Sequence, residues 1–216
     1  KSNGENNGGG AIYISYSTRP KNYVYKASIV SCVFTGCETT SQGGALNIKN
    51  VQTKLHFVDV EGCTFTNNKA SNNGGAIYAN IRDLLSIQHC TFTNNEALNG
   101  SSIWCQVGWN SGSDDNDQFV LYNNKFTFIP SDTNSVNVYI QSNTLNENIA
   151  PNANAFIGLC SFEGQNINGE IHKNLIISHN GAFQSIDFND CNCIQGEQNT
   201  VTIPAIVTNN NNLKFN

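Results

Sequence analysis

One short motif recurs along this chain, and the recurrence limits its fold more than any other feature. CVFTGCETTSQGGALNI runs from Cys32, CTFTNNKASNNGGAIYA from Cys63, and CTFTNNEALNGSSIWC from Cys90. A unit repeated every few tens of residues marks a stacked fold in which each copy buries its apolar face against the next. The unit holds only strand-sized apolar runs separated by turn residues, so its coils are expected to be strands wound into a solenoid.

The spacing extends the repeat beyond its obvious copies. An apolar residue, two variable positions and then Cys-x-Phe occur as Ile29/Cys32/Phe34, Val60/Cys63/Phe65 and Ile87/Cys90/Phe92. The same spacing continues as Leu121/Asn124/Phe126, Ile157/Cys160/Phe162 and Phe188/Cys191/Cys193. Middle residues follow one another at 31, 27, 34, 36 and 31 residues, which implies strands held in register while loops vary. The expected fold is all-β: a single-stranded parallel β-helix with three short strands per coil and about six to seven coils. It forms one domain over residues 1–216. The opening KSNGENNGGGAI matches only the second half of a coil, as expected of a piece of a longer solenoid.

Each strand has its own signature. After Gly74-Gly75, Ile77 and Ala79 alternate with Tyr78, the period of a strand with one buried face. Val58 and Val60 point inward on the second strand, Cys63 and Phe65 on the third. Inward parity changes between Val60 and Cys63, so a corner is expected at Gly62. The Gly pairs at 9–10, 43–44 and 74–75 mark another tight corner. Asn68 and Asn95, each three residues after a Phe, are placed to stack as a hydrogen-bonded ladder.

These tetrapeptides carry a resemblance. Gly9-Gly10-Ala11-Ile12, Gly43-Gly44-Ala45-Leu46 and Gly74-Gly75-Ala76-Ile77, with Phe65-Thr66-Asn67-Asn68 and Phe92-Thr93-Asn94-Asn95, resemble the GGA(I/L/V) and FxxN repeats of chlamydial polymorphic membrane proteins. Large surface proteins of some protists carry similar repeats. The resemblance covers about residues 9–105 and implies a right-handed parallel β-helix acting as a surface-exposed adhesin. Cys37 stands where the motif has Asn, and Ser101-Ser102 replace the second Gly and the Ala.

Composition narrows the function classes. Charged residues are 12% of the chain and the net charge is −5, so there is no basic stripe for nucleic acid. No apolar run approaches the roughly 18 residues of a membrane-crossing helix. Of the eight cysteines, Cys32, Cys63, Cys90 and Cys160 share one inward column. They read first as small buried hydrophobes, second as cross-coil disulfides and last as metal ligands. No cofactor and no metal is expected. The acidic loop Asp114-Asp115-Asn116-Asp117 has oxygens suited to calcium but lacks EF-hand spacing. His56, His89, His172 and His179 are scattered, without a nucleophile at matched positions.

Carboxylates on a β-helix could hydrolyse or eliminate a polysaccharide. Asp59 and Asp187 share an outward column but lie four coils apart, roughly 19 Å, too far to flank one glycosidic bond. Asp59 and Glu61 could lie roughly 7 Å apart on a straight strand. Solvated surface groups are the default reading for all three, and no catalytic residue is expected.

Aromatic residues carry the binding expectation. Tyr13, Asn47, Tyr78, Trp104 and Tyr139 share an outward column on the first strand, where aromatic faces can receive sugar rings or apolar side chains. The ligand-binding candidates are Tyr13, Tyr78, Trp104, Trp109 and Tyr139, although the same residues could simply pack beneath loops. Length variation is concentrated in the loops after the first strand, the edge where solenoids usually bind. The expected function is therefore a non-enzymatic cell-surface or secreted adhesin-like domain. Its partner would be a host-cell or neighbouring surface protein, or a glycan, with end-to-end self-association as a further contact. A polysaccharide lyase or glycoside hydrolase, and a structural coat or filament component, are the alternatives. Asn99-Gly100-Ser101 is the one N-glycosylation acceptor sequence and should be exposed at its turn.

Overall fold

The computed structural model describes residues 9–16, 25–50, 56–81, 84–109, 118–128, 136–143, 153–164, 175–178, 183–195 and 213–215. Every strand pairing among them is parallel and none of them is helical. Three strand stacks form the walls. The first face holds Ile12–Tyr16, Leu46–Asn50, Ile77–Ile81, Ile103–Trp109, Val138–Asn143 and Leu175–Ser178. The second holds Tyr25–Val30, His56–Glu61, Leu84–Gln88, Gln118–Tyr122, Ala153–Gly158, Phe183–Asn189 and Leu213–Phe215. The third holds Val33–Thr35, Thr64–Thr66, Thr91–Thr93, Lys125–Phe128, Ser161–Gly164 and Asn192–Gln195. Three strands per coil, wound as a β-solenoid, is the expected architecture.

Period-2 alternation turns each inward residue into a column. Ile29, Val60, Ile87, Leu121 and Ile157 are opposed in register, as are Phe34, Phe65, Phe92, Phe126 and Phe162. The phenyl rings stack at 4.8–5.0 Å and stay within 8° of parallel. Each such pair adds roughly 0.5–1.5 kcal/mol beyond burial of its apolar surface. Rings that keep one orientation from coil to coil also leave this wall with little of the usual sheet twist.

Corners pose the harder problem, because strands changing face leave backbone groups without ladder partners. The asparagine ladder answers it at one corner. Asn68 is fully buried; its Oδ1 accepts the Cys37 N–H at 3.0 Å, and its Nδ2 donates to the Phe34 carbonyl at 3.1 Å. Asn95 repeats this one coil on, accepting the Asn68 N–H and donating to the Phe65 carbonyl. The cysteine column answers it at the next corner. Cys63 Sγ accepts the Cys32 N–H at 3.4 Å and donates to the Ile29 carbonyl; Cys90 does the same for Cys63 and Val60. Asn124 stands in this column and makes the same two bonds, to Cys90 N–H and Ile87 C=O, both at 2.8 Å. The described cysteines are free thiols, and Cys63, Cys90, Cys105 and Cys160 are buried, which fits the packing reading. The side chain of Cys193 lies outside the described residues.

The glycine corner is steric. Gly74 adopts φ +66°, and a Cβ on Gly75 would lie 2.1 Å from the Ser101 carbonyl oxygen and 2.6 Å from the backbone nitrogen of Glu96. Gly43 and Gly44 repeat the arrangement against Leu46, Gly75 and Lys69. The corner expected at Gly62 exists in every coil, but glycine fills it only once. Ser31, His89, Asn123, Leu159 and Asp190 adopt the same left-handed conformation there. A Cβ at Gly62 would meet only Ser31 Oγ, at 3.6 Å. That corner is therefore set by backbone geometry and not by lack of space.

The number of coils corrects the expectation. About three turns of the solenoid carry the complete corner set, fewer than the six to seven coils expected. Paired strands continue past them, but the complete corner set does not. Glu38–Thr39 and Lys69–Ala70 pair as a short extra stack between the asparagine and glycine corners, and a bridge from Lys69 to Glu96 extends it one coil further. After Cys105 the sequence has no Gly-Gly-Ala and no Asn three residues after a Phe. The hydrophobic columns persist without the residues that fix the corners.

Substitutions at three positions test these supports. Asn124→Cys keeps both corner bonds in kind and should cost about 1 kcal/mol or less, whereas Asn124→Ala orphans a buried N–H and C=O and should cost about 2–4 kcal/mol in urea unfolding. Equal effects would mean the column is held by packing alone. Gly75→Ala should cost more than about 4 kcal/mol or abolish folding. Ser101→Ala should be neutral or mildly stabilising, because the Ser101 Oγ is buried without a partner.

Candidate functional site

Parallel register assembles the aromatic column as expected. Tyr13 pairs with Asn47, Asn47 with Tyr78, Tyr78 with Trp104, and Trp104 with Tyr139. Tyr78 and Trp104 stack at 4.7 Å with rings 1° apart. Their accessibility differs from that of an open ligand platform: Tyr78 is 6% exposed and Trp104 7%. Asn47 is fully buried and donates from Nδ2 to the Gln42 carbonyl at 3.1 Å. Burial pushes the Tyr78 phenol above its ordinary pKa, partly offset by hydrogen bonds from Asn80 and Gln42. The middle of the column is thus a packed spine. Tyr13, 40% exposed with Lys49 Nζ 6.0 Å from its ring centre, and Tyr139, half-buried, remain at its ends.

Trp109 does not join the column. It pairs with Asn143 across a register shift, and its side chain lies outside the described residues. The acidic loop 114–117, His172, His179 and most of the variable loops after the first strand also lie outside them. Asn99 is exposed as expected and donates from Nδ2 to Asn73 Oδ1 at 2.9 Å.

The carboxylates do not gather into a catalytic pair. Asp59 is held by Lys26 of the preceding coil at 2.6 Å, and Glu61 is exposed two residues on. Asp187 shares the Asp59 column, but Ser86, Val120 and Phe156 lie between them. Among the described residues no group of three or more His, Cys, Asp or Glu is arranged to hold a metal ion.

A second aromatic group lies on the outer side of the second face, and the sequence pattern misses it. Tyr122 and Phe156 are half-buried, with ring centres 6.2 Å apart. Gly158 pairs with Tyr122, and a Cβ there would lie 2.8 Å from the Phe156 ring and 3.3 Å from that of Tyr122. The missing side chain lets Phe156 lie down over the strand beside Tyr122. His89, exposed at the left-handed corner, meets Tyr122 edge-on at 6.0 Å. Asn123 Nδ2 lies 2.9 Å from its Nδ1 and donates to it. Leu159, 43% exposed, borders the group. These residues occupy different register positions, so no column signals them; the available cue is Gly158 inside a strand, which marks a close approach.

Among the described residues, stacked corners and outward-facing rings define a β-solenoid whose sides carry the candidate chemistry. Residues 62–80 match the Chlamydia polymorphic membrane protein repeat. No curated protein and no solved structure matches the chain. The chain therefore carries a polymorphic-membrane-protein-type repeat wound as a β-helix, and that repeat family is not an enzyme family.

Burial of the thiols sets a pH dependence. Burial pushes Cys90 up to about 12 and raises Cys105 well above its ordinary 9.0; Cys37 and Cys63 move the same way. A folded-state pKa above the unfolded value favours the protonated form on folding. The stabilisation is complete below pH 9 and is lost as the pH rises from 9 toward about 12. Tm followed by circular dichroism should fall steadily across that window, and a flat Tm there would contradict thiol burial.

Proposed function

We propose that this chain is a non-enzymatic cell-surface or secreted adhesin-like domain that holds a protein or glycan ligand against its outer walls. The observation that carries the reading is the group formed by Tyr122, Phe156 and Gly158. Two rings on a rigid sheet offer apolar faces, and His89, Asn123 and Asp187 around them offer polar partners. Flat apolar rings edged by hydrogen-bonding groups suit a pyranose, and Tyr is a favoured anchor in protein contacts. The partly exposed rings of Tyr13 and Tyr139 on the first face offer a second aromatic patch. The polymorphic-membrane-protein-type repeat supports a surface location.

An array of neutral and acidic animal-cell glycans, together with suspended epithelial cells, tests the reading. Labelled protein should bind at least one of these probes, and Tyr122→Ala with Phe156→Ala should weaken binding tenfold or more while leaving Tm within a few degrees. Tyr13→Ala should weaken it less. Binding to neither probe, or binding indifferent to the double substitution, would overturn the placement of the ligand on this wall. Release of sugars from polygalacturonate, lost on Asp59→Ala or Glu61→Ala, would replace the reading with an enzymatic one.

A further inference from the structure

Asn124 divides the cysteine column into a run of three, Cys32, Cys63 and Cys90, and an isolated pair, Cys160 and Cys191. The pair is in register: Ser161 opposes Asn192 in the next coil, so the residues just before them face each other. Neighbouring parallel strands set opposed Cα atoms about 4.8 Å apart, inside the roughly 4.4–6.8 Å that a disulfide spans. Both thiols point the same way, Cys160 donating to the Leu121 carbonyl and Cys191 to that of Ile157, each at 3.5 Å. Cys160 is buried, whereas Cys191 is half-exposed beside an exposed Asp190. Cys32 and Cys90 also have one thiol neighbour each, but both share Cys63, so Cys160 and Cys191 are the one described pair without a competing thiol. Cys37 faces Asn68 in the next coil, and Cys105 stands between Ala79 and Ile140.

We propose that Cys160 and Cys191 are a cross-coil disulfide site, closed by exchange with a small-molecule disulfide such as glutathione disulfide. Cys191 is the attacking thiol. Its thiolate opens the glutathione S–S bond, forming a Cys191–glutathione mixed disulfide and expelling one glutathione thiolate. Cys160 then attacks the Cys191 sulfur; the new S–S bond joins the two coils, and the second glutathione leaves with the Cys160 proton. Two protein thiols are oxidised by two electrons, and one glutathione disulfide is reduced to two glutathiones. The roles follow from access, since only Cys191 can be reached from solvent, and from chemistry. The buried neighbour Cys160 lowers the Cys191 thiol below its ordinary pKa, which favours its thiolate. The bond ties together the coils that lack the asparagine and glycine corners, where a covalent link has the most to add.

Peptide mapping after treatment with glutathione disulfide and alkylation of the remaining thiols tests the assignment. The expected result is one linked peptide pair containing Cys160 and Cys191, with Cys90 and Cys105 fully alkylated after unfolding, and an upward shift in Tm that dithiothreitol reverses. Cys160→Ser should trap glutathione on Cys191, and Cys191→Ser should take up none at this column. Because Cys160 is buried and its variant could fold poorly, the wild-type map decides by itself. A wild-type protein that keeps both thiols alkylatable, retains unresolved glutathione on Cys191, or links Cys191 to a different cysteine would overturn the proposal.

Discussion

Everything in this solenoid depends on satisfying the backbone where strands change face. Within a wall, the parallel ladder takes care of each N–H and C=O. At a corner the chain turns while still buried, and an unpaired buried group there costs about 1–3 kcal/mol. The chain uses two side-chain solutions, one at each corner of the third wall. Asn68 and Asn95 bridge coils with an amide, and the cysteine column bridges them with a sulfur that accepts one N–H and donates to one carbonyl. Both act between coils, so each coil is complete only when its neighbour is in place. That requirement makes the fold grow by stacking.

Asn124 shows that the corner asks for a hydrogen-bonding pattern and not for a particular residue. It does with nitrogen and oxygen what Cys63 and Cys90 do with sulfur, to the equivalent partners one coil away. The left-handed residue that precedes this column tells the same story for the backbone. Ser31, Gly62, His89, Asn123, Leu159 and Asp190 share one conformation with φ between 49° and 59°. For a leucine this is uncommon and carries strain, which the fixed coil geometry on both sides must outweigh. A corner so determined by its neighbours accepts side chains as different as Ser, His, Asn, Leu and Asp, which is why it varies in the sequence.

What is legible in the sequence follows from this division. Inward columns are readable because period-2 alternation and constant spacing from Cys to Phe survive in every copy, and the walls, the asparagine ladder and the glycine corner follow. The coil number is over-read because hydrophobic spacing continues through Leu121, Ile157 and Phe188 after the corner residues have gone. The aromatic column is legible as a register, from Tyr13 to Tyr139, but not as a buried one. Gln42, whose carbonyl caps Asn47 and whose side chain reaches Tyr78, holds the position before the glycine corner that Asn73 and Asn99 fill in the next coils, and that position does not announce a cover for the column. Similarly, Tyr122, Phe156 and His89 come together diagonally across register positions, and only the glycine that makes room for the ring hints at their contact.

Stacking also separates stability from recognition. Inner positions answer to the coil above and the coil below, so a change at Phe92 or Asn95 is felt in two coils at once. Outward positions lie outside the core columns, and they change character along the axis: Asp59, Ser86, Val120, Phe156 and Asp187 occupy one register position in successive coils. A wall of this kind can acquire rings or charges one coil at a time without disturbing the core beneath. The second-face group illustrates how little is needed. One glycine removes a Cβ, one ring settles into the space, and a corner histidine already held by Asn123 closes the edge. The same backbone that makes the interior uniform thus lets the exterior differ from coil to coil, and the second face differs most where its rings emerge.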